Sequence, residues 1–107
     1  MNIIETALSK EEKKMYNILV YYKAEKKEDI QGFYEGVKAA NVVEKSRQDA
    51  GNIQYDYFFS AEKDNEILLV ERWVSKELQQ AHTMQPFFAE LADLKRKYNV
   101  TTSIDEF

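Results

Sequence analysis

The sequence contains no cysteine and a single histidine, His82. The lack of cysteine excludes disulfide bonds, thiolate catalysis and cysteine-ligated metal sites. One imidazole is too few for a metal site built from several histidines. We therefore expect no metal and no organic cofactor, with haem as the one exception that His82 leaves open.

Basic residues and long apolar runs are also scarce. Lys and Arg total 15 against 19 Asp and Glu, a net charge of −4, whereas a nucleic-acid binder needs a basic face. No apolar stretch approaches membrane-spanning length, and Met1 to Ser9 lacks the basic and apolar regions of a signal peptide. We expect a cytoplasmic protein that binds neither nucleic acid nor membrane.

The chain is short but rich in apolar and aromatic side chains. Of the 107 residues, 44% are hydrophobic and 13% aromatic, which suits one domain with a real core. We place this domain at residues 16–107. Residues 1–15 are predicted to be an N-terminal extension, in which Ser9 and Glu12 fit a capping box for a short helix through Lys14.

Hydrophobic periodicity predicts the order strand, helix, three strands, helix, strand. Ser75 is expected to cap the second helix, and Pro86 to start a further segment of it. The first helix carries the apolar face of Ile30 and Phe33 and is expected to end near Asn41. The strands are predicted at residues 16–22, 42–46, 53–60, 67–74 and 99–104.

This order predicts an α+β fold, a ferredoxin-like sheet with one extra strand and with its helices on one face. The opposite face carries alternating apolar and aromatic residues, which makes a solvated face unfavourable. Packing of two identical sheets face to face would bury it and close a dimeric α/β barrel. We therefore expect a homodimer.

The stretch from Gly51 to Leu91 carries a resemblance. It reads GNIQYDYFFSAEKDNEILLVERWVSKELQQAHTMQPFFAEL. A Gly precedes a Tyr-containing strand, Glu-x-Trp closes the next strand, and a helix with His leads to a Phe pair. This pattern resembles the antibiotic-biosynthesis monooxygenase family, which includes cofactor-free oxygenases of polyaromatic phenols and quinols as well as haem-degrading enzymes. The resemblance covers the element order from Tyr16 to Ile104.

The resemblance implies a site between sheet and helices. His82 is the candidate general base, since its ordinary pKa lies near neutrality; the alternative is a packing histidine. Trp73 and Glu71 share one strand face, so Trp73 is the expected aromatic wall and Glu71 the carboxylate that orients the imidazole. Phe88 is a second wall, and Tyr55 is a polar positioner that could equally fill the core.

Two further residues complete the set. Asn17, near the start of the first strand, is the remaining candidate positioner of a substrate. Arg72 has the opposite parity to Trp73 and is expected to pair with Asp56 or with an acid across the dimer interface.

The leading hypothesis is an enzyme, a cofactor-independent monooxygenase acting on a small aromatic phenol or quinol. The first alternative is haem binding and degradation, because haem-degrading relatives use an Asn, a Trp and a His, and this chain has Asn17, Trp73 and His82 in that order. The second alternative is a non-catalytic dimer that binds a small molecule.

Overall fold

The computed structural model describes residues 14–107. The helix expected from Ser9 to Lys14 therefore lies almost wholly outside the described residues, and the division of the chain after residue 15 stays a prediction. Within residues 14–107, none of the helices is both long and apolar enough to cross a membrane.

The described chain forms a four-stranded antiparallel sheet with four helices. The strands are β1 (Tyr16–Lys23), β2 (Asn52–Phe59), β3 (Glu66–Trp73) and β4 (Thr101–Glu106), and the helices are α1 (Lys27–Ala39), α2 (Val42–Gln48), α3 (Lys76–Thr83) and α4 (Pro86–Lys97). The strand order across the sheet is β2-β3-β1-β4, and every neighbouring pair is antiparallel. The predicted α+β, ferredoxin-like fold is confirmed.

The register of the sheet determines which side chains meet. Glu71 lies opposite Ile18 on β1 and opposite Tyr55 on β2, and Trp73 lies opposite Tyr16. Side chains alternate between the two faces of a strand, so one face receives the buried residues of all three strands. These core residues are Ile18, Val20, Tyr22, Tyr55, Ile67, Leu69, Glu71 and Trp73.

The strand predicted at residues 42–46 is wrong, and with it the extra strand. This segment is helix α2, entered through Asn41, whose left-handed backbone (φ 55°) turns the chain directly out of α1. Val42 and Ser46 are both fully buried, and the Ser46 hydroxyl donates to the Val42 carbonyl oxygen over 2.6 Å. Burial of two residues one helical turn apart thus overrides the strand propensity of the Val pair.

The boundaries of the other elements differ by one or two residues from those predicted. The Ser75 hydroxyl accepts from the Leu78 backbone N–H at 3.2 Å, and Pro86 opens α4, as expected. β4 begins at Thr101 rather than residue 99, because Asn99 has a left-handed backbone (φ 52°) that ends the preceding helix.

The second sheet face carries no helix of the described chain. Its side chains include those of Leu19, Tyr21, Leu68 and Val70. Phe58, which is 49% exposed, lies on the same face. A groove of about 370 Å³ at the β2–β3 turn is lined partly by three of them, Tyr21, Phe58 and Leu68. We call this surface the open face.

The ion pair expected between Arg72 and Asp56 is replaced by another. Arg47 of α2 donates from Nη2 to Asp56 Oδ1 over 2.6 Å, and its Nε donates to the Tyr55 carbonyl oxygen. Asp56 lies opposite Val70 rather than Arg72 in the register, and the α2 helix was not foreseen as a source of the partner. Arg47 thus fastens α2 to the edge strand β2.

Candidate functional site

His82 stands in the last turn of α3 with its imidazole pointing into the interior. It is 2% exposed, and its Nδ1 lies 2.8 Å from Oδ2 of Asp49. Asp49 follows α2 in the turn before β2, where its other oxygen, Oδ1, accepts from Gln85 Nε2 over 2.9 Å. One carboxylate therefore joins the turn before β2 to both His82 and the chain segment that leads into α4.

The protonation of His82 follows from these contacts. Burial lowers the pKa of the imidazole, and the hydrogen bond and charge of Asp49 oppose that shift only in part. A neutral imidazole beside a carboxylate carries its proton on Nδ1, because the carboxylate can only accept. Nε2 is then left with its lone pair free, the form that a general base requires.

Four aromatic rings surround the imidazole. The centroid of the His82 ring lies 4.9 Å from that of Trp73, 5.7 Å from Tyr55, 5.6 Å from Phe87 and 5.5 Å from Phe88. Trp73 and Tyr55 belong to the sheet and are 0% and 1% exposed, whereas the two Phe rings come from the first turn of α4 and are half-buried. The space around His82 is thus filled by side chains, and the α4 side is its more exposed wall.

The carboxyl group of Glu71 is buried beside the indole of Trp73. The Trp73 Nε1–H donates to Glu71 Oε1 over 2.9 Å. Burial raises the pKa of Glu71 to about 7, although the indole hydrogen bond acts in the opposite direction. The carboxylate expected to orient the imidazole was Glu71; in the structure Asp49 does so, and Glu71 is bound to the indole instead.

Five of the six predicted site residues come together and one does not. His82, Trp73, Glu71, Tyr55 and Phe88 lie between the sheet and the helices. Asn17 pairs with Arg72 in the register, so its side chain lies on the open face. The sheet separates Asn17 from His82 and Trp73, so the trio that suggested haem degradation does not form one site within the chain.

Asp49 is the functional candidate that sequence reasoning missed. No local pattern in the sequence connects it to the site, because it lies 33 positions from His82 and shares no periodic pattern with it. The pairing depends on α2, which places the turn over the C-terminal end of α3. Within residues 14–107, no three His, Asp or Glu side chains lie close enough to share a metal ion.

Several solved structures share this fold at low sequence identity. A conserved protein of unknown function from Bacteroides thetaiotaomicron, a possible oxidoreductase, is 20% identical with a TM-score of 0.76 over 88% of this chain and 96% of its own. A proposed antibiotic biosynthesis monooxygenase from Nitrosomonas europaea is 20% identical with a TM-score of 0.73, over 88% and 86%. SnoaB, a cofactor-independent oxygenase from Streptomyces nogalater, solved as a point mutant, is 14% identical with a TM-score of 0.66, over 88% and 91%.

Sequence comparison identifies the family, which structural similarity at this low identity does not. No curated protein sequence matches the chain. The profile of the family described as Antibiotic biosynthesis monooxygenase matches residues 15–93, which include β1 to β3, His82 and the Phe pair. Because this match covers well over half of the chain and agrees with the fold, the chain belongs to the antibiotic biosynthesis monooxygenase family.

Proposed function

We propose that the protein is a cofactor-independent monooxygenase that oxidises a flat phenol or quinol, with His82 as general base. The observation that carries this proposal is the hydrogen bond of 2.8 Å between Asp49 and His82 inside an aromatic enclosure. Asp49 fixes the tautomer and orientation of the ring, and burial keeps Nε2 unprotonated at neutral pH.

The chemistry starts with transfer of the substrate hydroxyl proton to His82 Nε2. The resulting anion passes an electron to O₂, and the two radicals combine at the ring carbon. The peroxide formed there takes the proton back from His82, and loss of water, which removes the hydrogen of the same ring carbon, leaves one oxygen atom on that carbon as a carbonyl. The protein supplies a base, an orientation and a dry, aromatic environment in which the anion is held against Trp73.

Substrate entry requires the aromatic enclosure to open on its α4 side. Phe87 and Phe88 follow Gln85 and Pro86 directly, and the adjacent Met84 is 83% exposed. The sheet wall, by contrast, is fixed by pairing of β2 and β3 with their neighbours. In this proposal Phe88 and Phe87 swing outward and a flat substrate takes their place against Trp73, with Tyr55 and Glu71 as polar neighbours.

The proposal includes a homodimer formed through the open face. The partly exposed side chains of Leu19, Leu68 and Val70 form an apolar patch there, and Phe58, 49% exposed, extends it to the edge strand. Large exposed apolar patches mark interaction surfaces. A second copy offers the same patch in return, as a twofold interface requires.

Oxygen uptake in the presence of a dihydroxynaphthalene and a chelator tests the activity. We expect uptake above the rate of autoxidation, and a fall of about 100-fold or more in kcat for His82→Gln. Glu35→Gln, at an exposed ion pair with Lys38 on α1, is the control and should keep full activity.

Two outcomes would favour the alternatives. Binding of the phenol without any oxygen uptake above autoxidation, across a panel of phenols and quinols, would favour a non-catalytic binding dimer. A Soret band on mixing with haem that is lost in His82→Gln would favour haem as the ligand.

A further inference from the structure

Gln85, in the short link between α3 and α4, makes hydrogen bonds to three parts of the chain. Its backbone N–H donates to the His82 carbonyl oxygen over 3.1 Å, and its carbonyl oxygen accepts from the Phe88 N–H over 3.0 Å. Gln85 occupies the N-cap position of α4, yet its side chain makes no capping hydrogen bond. Instead its Nε2 donates to Oδ1 of Asp49 over 2.9 Å. The side chain therefore joins the start of α4 to the turn before β2.

Asp49 is the fixed end of this contact. Its backbone N–H donates to the Ser46 carbonyl oxygen over 3.1 Å, and its carbonyl oxygen accepts from the Asn52 N–H over 3.2 Å. The Gly51 carbonyl oxygen of the same turn accepts from the Val74 N–H over 2.8 Å, which ties the turn to the chain just after β3. The carboxylate is thus carried by a turn that is fastened to both α2 and the sheet.

The start of α4 is the end of the contact that can move. The side chains of Phe87 and Phe88 have no hydrogen-bonding group, so packing against their neighbours alone holds the rings over the imidazole. Met84, 83% exposed, can change its conformation with little loss of buried surface. A movement that carries the Phe pair outward also draws Gln85 away from the carboxylate, because Gln85 precedes the pair by only two residues.

We propose that the hydrogen bond between Gln85 and Asp49 is a latch, which holds the start of α4 closed over His82 and sets how often the aromatic enclosure opens. A substrate reaches the imidazole only while the latch is open, so Gln85 regulates access to the base without touching the reacting atoms. The closed latch keeps water away from Nε2 between turnovers. The inference rests on the proposed function, in which the substrate enters from the α4 side, and adds the contact that regulates this entry.

Chemical modification of His82 measures the opening without any substrate. Diethyl pyrocarbonate acylates the free nitrogen of a neutral imidazole, and His82 is the only histidine of the chain, so mass spectrometry of one peptide follows the reaction. The ring is 2% exposed and reacts only from the open form, so the rate follows the population of that form. Gln85→Met keeps the length of the side chain and removes the donor. We expect it to react about three- to tenfold faster than the wild type.

Two comparisons assign the effect to the latch. Gln80→Met makes the same exchange at an exposed position of α3 and should react at the wild-type rate. Asp49→Ala removes the acceptor, so adding Gln85→Met in that background should not change the rate further. An unchanged rate for Gln85→Met in the wild-type background would overturn the proposal. So would an equal increase with and without the carboxylate.

The latch and the proposed function can fail separately. Loss of oxygen uptake in His82→Gln together with a wild-type modification rate in Gln85→Met would leave the proposed function standing and reject the latch. A faster, Asp49-dependent modification in Gln85→Met, in a protein that consumes no oxygen with any phenol or quinol, would support the latch and reject the proposed function.

Discussion

His82 is held neutral by burial and held in place by Asp49, and these two influences oppose each other in its pKa. Asp49→Asn removes the charge and leaves the shape, so the pKa of His82 should fall further below its ordinary value. Stability should also fall by about 1–3 kcal/mol, since a charge-assisted hydrogen bond is lost. Because the chain has one histidine, an NMR titration reads this pKa from a single imidazole. An unchanged pKa in Asp49→Asn would contradict the pairing.

Glu71 makes the free energy of unfolding depend on pH in the opposite direction to a salt-bridged acid. A salt-bridged acid has a lowered pKa and stabilises the fold more as pH rises, whereas the pKa of Glu71 is raised. Its folded pKa of about 7 lies above the ordinary 4.5, so between these values the folded chain keeps a proton that the unfolded chain has lost. The contribution of Glu71 to stability therefore falls as pH rises through this window, by up to roughly 3 kcal/mol.

Glu71→Gln should relieve this penalty, because the amide oxygen can still accept from Trp73. We expect the variant to be more stable than the wild type by about 1–3 kcal/mol above pH ~7.5, with the difference vanishing near pH ~4.5. Urea unfolding at fixed protein concentration across this range measures it. A difference that is constant with pH would show that Glu71 does not carry the raised pKa.

The residues that could be predicted are those fixed by local alternation. Glu71 and Trp73 lie two apart on one strand, so their shared face and the closeness of His82 on the next helix follow from parity and a short connection. Asn17 could not be placed in the same way. The face on which its side chain lies depends on which β1 residue is opposite Trp73, and this register is set by tertiary structure rather than by local sequence. In the structure, Tyr16 is the residue opposite Trp73.

Among the elements, α2 shows where local propensity fails. Val42 and Val43 favour a strand on propensity, yet the segment is helical because Val42 and Ser46 are buried against the core. The error mattered for the site, since α2 carries the chain to Asp49 and anchors β2 through Arg47. The strands β1, β2 and β3, the N-cap at Ser75 and the start of α4 at Pro86 were predictable because each has a strong local signal.

Helix α3 is short, and its position depends on its first turn. Ser75→Ala removes the acceptor for the Leu78 N–H and should cost about 1 kcal/mol, a fall of several degrees in Tm. Ser75→Asn keeps a capping side chain and is the control, with a Tm close to that of the wild type. Calorimetric melting of the three proteins makes the comparison, and equal Tm values for Ser75→Ala and the wild type would refute a stabilising cap.

At the scale of the whole molecule, the open face predicts the assembly. Leu68→Asp puts a charge in the middle of this face and should turn a dimer into a monomer in sedimentation at micromolar concentration, since a stable interface needs about 1,000 Å² of well-packed surface. Met84→Asp, which changes an apolar side chain that is 83% exposed on the helix side, should remain dimeric. A wild-type monomer at this concentration would rule the interface out.

The contact between Trp73 and His82 gives the protein a built-in optical probe. The chain has one tryptophan, so all of its indole emission comes from the side chain that touches the imidazole and donates to Glu71. Protonation of His82, ionisation of Glu71 and the arrival of a flat ligand each change the immediate surroundings of this one fluorophore. Events at the site can therefore be timed in a stopped-flow instrument on the unlabelled protein, and a change in emission that His82→Gln abolishes is assigned to the imidazole directly.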